Sequence, residues 1–361
     1  MFGKAIVRGL LAVAMVCYAA ASQADVFNMT DGQTSLRFVP VGNPGNAADT
    51  TVMTDGSTGY GSVPYRYQMG KYDVTVGQYC QFLNAVAQTD TYGLCNGGMT
   101  QSSPYQTYPT IRIAQNGSPG GYSYSVAGSY SQAANCPIYF PSWGSAARFC
   151  NWLQNGQPTG LEGNGTTETG AYTLNGATND NALIAITRNA GAKYFIPSEN
   201  EWYKAAYYDP TLNGGTGGYW TYPTKSNTVP SNILSSTGTN NVNFNANFPS
   251  SGYTDPVNHL TPVGAFANSP GPYGTYDMGG DVFQWNEASS ANQYRRFRGG
   301  TWNLGSNQLA SSYRTTSNEN LPSYGIYYLG FRVASVPEPG SLAMTAMIAL
   351  TALLCYWRKH V

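Results

Sequence analysis

The sequence predicts an α+β fold in which a few short helices and short antiparallel strands are set in a loop-rich chain. Three observations predict it. Helical periodicity is confined to three short, capped stretches. The segments between them are dominated by Gly, Asn, Ser and Thr, with 42 Gly and 21 Pro in 361 residues, and such residues punctuate a chain into turns. No internal repeat is visible, so the chain reads as one domain.

The first helix is read in "VTVGQYCQFLNAV". Thr75 and Gln78 form a capping box, in which each side chain satisfies a backbone donor of the other. Tyr79, Phe82, Leu83 and Val86 then recur at helical spacing on one face. "PSWGSAARFCNWLQNG" predicts the second: Ser142 caps it, Ala147, Cys150 and Leu153 share a face, and Gly156 stops it. The third lies in "PSENEWYKAAYYDP", with Ser198 and Glu201 as another capping box and an end before Pro210. Two stretches, 157–190 and 211–258, show no periodicity. Loops longer than about 15 residues usually carry function or are disordered, and "TTETGAYTLNG" (166–176) fits a hairpin.

The ends read as sorting segments. Residues 1–24 have a basic start at Lys4 and Arg8, an apolar run to Ala21, and small residues at Ser22 and Ala24. That order predicts a secretory signal cleaved after Ala24; a transmembrane helix is the alternative, but the run is short for one. At the other end, Pro337-Glu338-Pro339 precedes an apolar run from Leu342 to Trp357 and the basic pair Arg358-Lys359. This arrangement over 336–361 resembles the PEP-CTERM sorting signal of Gram-negative bacteria. The resemblance implies that an exosortase removes the helix during export, leaving only transient membrane association; a permanent single-span anchor is the alternative.

The remaining domain, 25–335, holds 14 basic and 17 acidic residues, a net charge of −3. No basic patch stands out, so nucleic acid is not expected as a partner. Cys17 falls in the signal and Cys355 in the C-terminal run, leaving Cys80, Cys95, Cys136 and Cys150. An even number in an oxidising compartment predicts disulfides, with buried free thiols the alternative. Of the three pairings four cysteines allow, Cys80–Cys150 and Cys95–Cys136 is expected. The first two sit on helices with apolar neighbours, and the others on flanking loops. Their spacing is not that of a CxxC-type metal site.

Six motifs in order then carry a family resemblance: "YQMGKYDVTVGQYCQFLNAV" (67–86), "PIYFPSWGSAARFCNWL" (137–153), "FIPSENEWYKAAYYDP" (195–210), "TPVGAFANSPGPYGTYDMGGDVFQW" (261–285), "RFRGGTWN" (296–303) and "LGFRVAS" (329–335). Together they resemble the formylglycine-generating enzyme, or sulfatase-modifying factor, family. The resemblance implies a compact loop-rich fold, distantly similar to C-type lectins. It also implies two calcium sites. One would use the carbonyls of Gly279, Gly280 and Val282 and the side chain of Gln284, where the family usually has Glu. The other would use Asn247, the Phe248 carbonyl, Asp255 and the Val257 carbonyl. Oxygen ligands of this kind suit calcium.

The oxidases of the family bind copper with two cysteines that follow "RGG-S/T-aromatic". In "RGGTWNLGSNQLASSYR" the matching positions are Leu304 and Leu309. Neither can bind Cu(I), which selects soft thiolates, so copper is not expected. Thr301 keeps only the hydroxyl of the motif. Of two histidines, His360 lies in the tail, so His259 alone cannot build a three-His iron site. His259 reads as a solvated loop residue, and Glu199 and Glu201 as first-turn helix residues. The expectation is an exported, calcium-stabilised, noncatalytic surface or matrix module that binds exopolysaccharide or an envelope protein. Trp302, Tyr313, Arg314 and Tyr327, beside Thr301, are expected to line its ligand groove. The alternative is a formylglycine-generating oxidoreductase, or an enzyme with altered chemistry in the same groove. Core filling is the competing explanation for the aromatic residues.

Overall fold

A computed structural model describes residues 26–27, 36–101, 109–290, 294–314 and 321–336. The signal expected over 1–24 and the sorting segment expected from 336 lie outside these residues, apart from Val336. Among the described residues, no helix is long and apolar enough to cross a membrane.

In chain order the strands are β1 (Val26–Phe27), β2 (Leu36–Val41), β3 (Tyr67–Gly70), β4 (Arg112–Asn116), β5 (Ser123–Ala127), β6 (Tyr194–Phe195), β7 (Tyr208–Asp209), β8 (Gly218–Tyr219), β9 (Phe283–Ser289), β10 (Arg295–Arg298), β11 (Leu329–Gly330) and β12 (Ala334–Ser335). They form a sheet ordered β1-β2-β3-β12-β6, a second ordered β10-β9-β11, and two hairpin-like pairs, β4-β5 and β7-β8. Strands are short and the pairing is antiparallel, as predicted, except that β11 runs parallel to β9. The motif segments 67–70, 283–289, 295–298 and 329–335 thus become adjacent strands.

The three predicted helices are present at Val76–Val86, Trp143–Gln154 and Glu199–Tyr207. Both capping boxes form, and Ser142 Oγ accepts from Ser145 N at 3.0 Å. Tyr79, Phe82, Leu83 and Val86 are buried as the spacing requires. The second helix differs from its amphipathic reading, because every residue from Trp143 to Leu153 is buried. It can carry Arg148 inside because Glu168 accepts from the guanidinium through both oxygens, at 2.6 and 3.0 Å. Bidentate pairing of this kind is among the stronger polar contacts available to a buried charge.

That pair explains the stretch 157–190. The hairpin over 166–176 is not formed. Asn151 Nδ2 donates to the carbonyls of Thr167 and Tyr172, and its oxygen accepts from Tyr172 N. Thr167, Glu168, Ala171, Tyr172 and Leu174 are all buried. The stretch 211–258 is held the same way, by amide side chains: Asn232 donates to the carbonyls of Phe244 and Gly252, and Asn241 to that of Ile233. These segments lack repeating backbone ladders, so side chains satisfy the buried backbone instead. One hydrophobic cluster runs from Leu36 to Ala334 and includes the buried Trp143, Trp152, Trp202, Trp285 and Trp302.

Candidate ligand site

The segment after β10 turns back over β9. Thr301 Oγ1 and Trp302 N both donate to the carbonyl of Asp281, at 3.0 Å each. A 3-10 turn at Ser306–Leu309 then folds Leu309 inward. Leu309 is fully buried in a small apolar cluster with Tyr222, Val242 and Phe244, while Leu304 packs against the main core. The two positions where a copper oxidase needs thiolates are therefore filled by hydrocarbon.

Trp302 sits in an aromatic cluster. The His259 ring lies flat on its indole, with centroids 4.3 Å apart and planes at 15°. Tyr253 packs against both rings at 5.3 and 5.0 Å, and Tyr327 against Trp302 at 6.3 Å. Asn303 Nδ2 donates to the Tyr327 hydroxyl at 3.3 Å. His259 and Trp302 are buried, whereas Tyr253, Asn303 and Tyr327 are half-buried. The exposed edge is thus two tyrosines and an amide over a rigid base. His259 is not the solvated residue expected from the sequence. Nothing periodic in "GYTDPVNH" (252–259) marks it, because its stacking partner Trp302 stands 43 residues away in sequence.

Tyr313 and Arg314 serve elsewhere. Arg314 donates to Glu199 through Nε and Nη2, at 2.9 and 3.0 Å, and pairs with Asp55. Arg298 shares the same Glu199 at 2.8 Å. These guanidiniums hold Glu199 below its ordinary value of 4.5 despite the opposing effect of burial, which is the largest single influence. The Tyr313 ring stacks on Phe283 at 6.3 Å, and its carbonyl accepts from Arg298. Of the four residues expected to line the groove, Trp302 and Tyr327 come together, and Arg314 is committed to an ion network. Glu201, besides its capping role, pairs with Arg188 at 2.8 Å.

Below the cluster lies a group of buried acids. Asp281 accepts from Thr261 N at 2.7 Å, Thr261 Oγ1 at 2.8 Å and Asn243 Nδ2 at 2.7 Å. Asp277 accepts from Gly264 N at 2.6 Å. Asp73 faces Arg332 at 3.3 Å, and its Oδ1 is buried with no hydrogen-bond partner. Burial pushes all three carboxyl groups up, Asp277 to about 6 and Asp281, with Asp277 beside it, to about 8.

A family profile described as the sulfatase-modifying factor enzyme 1-like domain matches residues 44–336. The chain belongs to this family. No curated protein matches it by sequence. Among solved structures it is similar to PvdO from Pseudomonas aeruginosa, at 17% identity and TM-score 0.48, covering 88% of this chain and 100% of that one. It is also similar to Treponema denticola variable protein 1, at 14% identity and TM-score 0.46, covering 87% and 99%. CarF is 17% identical with TM-score 0.43, covering 84% and 99%.

Within this sulfatase-modifying factor domain, the two expected calcium sites differ. Gln284 Oε1 accepts from Trp202 Nε1 at 2.7 Å and Arg332 Nε at 3.1 Å, and its amide donates to the Asp277 carbonyl at 2.7 Å. An oxygen held by a guanidinium does not fit a dication, so Gln284 is corrected from ion ligand to core bracket. The bare backbone beside Gly279, Gly280 and Val282 has another cause: Gly280 has φ +81, and a Cβ there would overlap the Asn243 carbonyl. Only glycine meets both conditions without strain. In the other loop, Asp255 Oδ1 accepts from Val257 N and Asn258 N at 2.9 and 2.8 Å, and Oδ2 from Asn258 Nδ2 at 2.9 Å. Asn247, Phe248 and Val257 are exposed there. Each carboxylate oxygen has more than one acceptor position, so Asp255 can still take a cation. Among the described residues, no group of three or more His, Cys, Asp or Glu is arranged to hold a metal.

The four cysteines are free and buried, so neither expected pair forms. Their surroundings separate them. Cys136 Sγ faces the Gln132 carbonyl at 3.6 Å, and Cys150 lies near Glu287 and Arg188. Burial pushes the Cys80 and Cys95 thiols up to about 12.

Proposed function

We propose that this protein is a noncatalytic member of its family that binds polysaccharide outside the cell. The reading has it exported through its N-terminal signal, processed by an exosortase, and retained at the envelope or matrix of a Gram-negative bacterium. The observation that carries the noncatalytic part is Leu309, buried among Tyr222, Val242 and Phe244. A leucine has no ionisable or redox-active group, and the neighbouring Thr301 hydroxyl is already given to the Asp281 carbonyl. Hard oxygen donors do not hold Cu(I).

The binding part rests on Tyr253, Asn303 and Tyr327. Aromatic faces offer contact area at low entropic cost, and the Asn303–Tyr327 hydrogen bond fixes the edge that would meet a ligand. Calcium enters this reading only at the loop of Asn247, Phe248, Asp255 and Val257, where it would hold the loop from outside.

The test is a glycan array and an envelope-protein overlay with the purified chain, alongside metal analysis and an aldehyde-trapping assay on a sulfatase-type cysteine peptide. Saturable glycan binding that is lost in Tyr327→Ala is the expected result. Binding to an envelope protein instead would move the partner class. Bound copper or iron, or aldehyde above a no-enzyme control, would overturn the noncatalytic reading.

A further inference from the structure

Away from the Trp302 cluster, β7 and β8 pair Tyr208 opposite Tyr219. Their rings lie 5.1 Å apart at 59°. With the segment Ala47–Thr50 they line an open cleft of about 240 Å³, completed by Thr216, Gly217 and Gly218. We infer that this cleft is a binding site for a single neutral sugar ring.

Its walls are built and held. The Tyr219 hydroxyl donates to the Ala47 carbonyl at 2.7 Å and accepts from Asn46 Nδ2 at 2.8 Å. Gly61 packs so closely on the Tyr219 ring that a Cβ would come within 2.7 Å of it. Gly217 has φ +86, and a Cβ there would overlap the Tyr208 hydroxyl. That hydroxyl has no hydrogen-bond partner among the described residues, and it points to the cleft-lining glycine. Asp49 brings a carboxylate to the wall. It is fixed by Tyr203 Oη, which donates to Oδ2 at 2.7 Å, and by Thr51 N, which donates to Oδ1 at 2.9 Å. Asp49 has no ion pair among the described residues.

The volume and the polar groups select the ligand class. Ligand pockets for drug-sized molecules run from about 300 Å³ upward, so this one suits a smaller body. Two tyrosine faces want apolar C–H surface, while a free hydroxyl and a carboxylate want hydroxyl donors. A sugar ring supplies both. A cation is disfavoured, because Lys204 already stands 5.8 Å from the Tyr208 ring centroid, where its ammonium donates to the Asn43 carbonyl. Both Asp49 oxygens already accept hydrogen bonds, and Lys204 brings a positive charge to the same Tyr208 ring.

The test is calorimetric or NMR titration of the purified full-length chain with D-glucose, D-galactose, D-mannose and D-glucosamine. Saturable binding of at least one neutral hexose is expected. Tyr219→Ala abolishes it, and Tyr208→Phe weakens it about fivefold, the effect of losing one neutral hydrogen bond, without moving the melting temperature. Tyr327→Ala leaves it unchanged, which separates this site from the Trp302 cluster. No saturable hexose binding, tighter binding of glucosamine than of every neutral hexose, or binding indifferent to both tyrosine changes would overturn the inference.

Discussion

Arg332 donates from Nε to Gln284 Oε1 at 3.1 Å, and both residues are fully buried. The same guanidinium donates to the carbonyls of Gly70 and Tyr276 at 2.7 Å each, and to Asp73 at 3.3 Å. One side chain thus ties β3, β9 and the turn before the glycine pair. Arg332→Ala takes the guanidinium from Asp73 and from three other oxygens, of which Gln284 Oε1 keeps Trp202 as a donor. Removing one partner of a buried ion pair costs about 3–5 kcal/mol, and Arg332→Ala should lose at least that much in denaturant unfolding. Asp73→Asn should cost far less, since it keeps an acceptor and removes the buried charge. Equal losses for the two variants would contradict this account.

Stability should peak at mildly acidic pH. Asp73, Asp277 and Asp281 have raised carboxyl values, so the folded chain binds their protons more tightly than the unfolded chain. The stability that Asp277 and Asp281 supply is fully present below their ordinary 3.8 and is lost as pH rises through about 6 and about 8. Glu199 and Glu201 act in the opposite sense. Their values are lowered by Arg314 and Arg188 against burial, so their contribution is present above 4.5 and lost as pH falls. Melting curves across the acidic to alkaline range should show the maximum, and Asp281→Asn should flatten the alkaline side. A melting temperature that climbs steadily toward alkaline pH would be incompatible with these acids.

Calcium should raise the melting temperature of the wild type and leave Asp255→Ala unmoved. A ligand that binds only the folded chain stabilises it by about 2.7 kcal/mol at a hundredfold excess over its Kd. Gln284→Glu should add no second response, because that side chain faces Arg332 and Trp202. Identical wild-type curves in calcium and in chelator would remove calcium from the proposal.

Four thiols should react with a maleimide only after unfolding. Cys80, Cys95, Cys136 and Cys150 are buried and unpaired, and a thiol pushed far above neutral carries almost no thiolate, the reactive form. Peptide mapping without reductant that finds any of the four in a disulfide would refute this.

Local chemistry was legible in the sequence. Thr75 with Gln78, Ser142, and Ser198 with Glu201 cap helices because a cap is written within four residues. The partners of charged groups were not legible. Arg314 finds Asp55 across more than 250 residues, and Arg148 finds Glu168 in a stretch that looked structureless. No periodicity encodes such pairs, and the motif order that shows the family says nothing of them. Arg314 stands apart from Trp302 for the same reason: it follows Trp302 by twelve residues in sequence but is claimed by Glu199. His259 was misread because its stacking partner Trp302 is brought to it only by the fold.

The packing around Leu309 also sets a direction. Introducing a cysteine there removes hydrocarbon from a site closed on all sides by Tyr222, Val242 and Phe244. Large-to-small changes in a core leave a void that the surroundings only partly fill. A first step toward thiol chemistry therefore weakens the protein before any second thiol is present to hold a metal. A route toward such an oxidase would begin uphill, and the neighbours of Leu309 would have to change before the chemistry could.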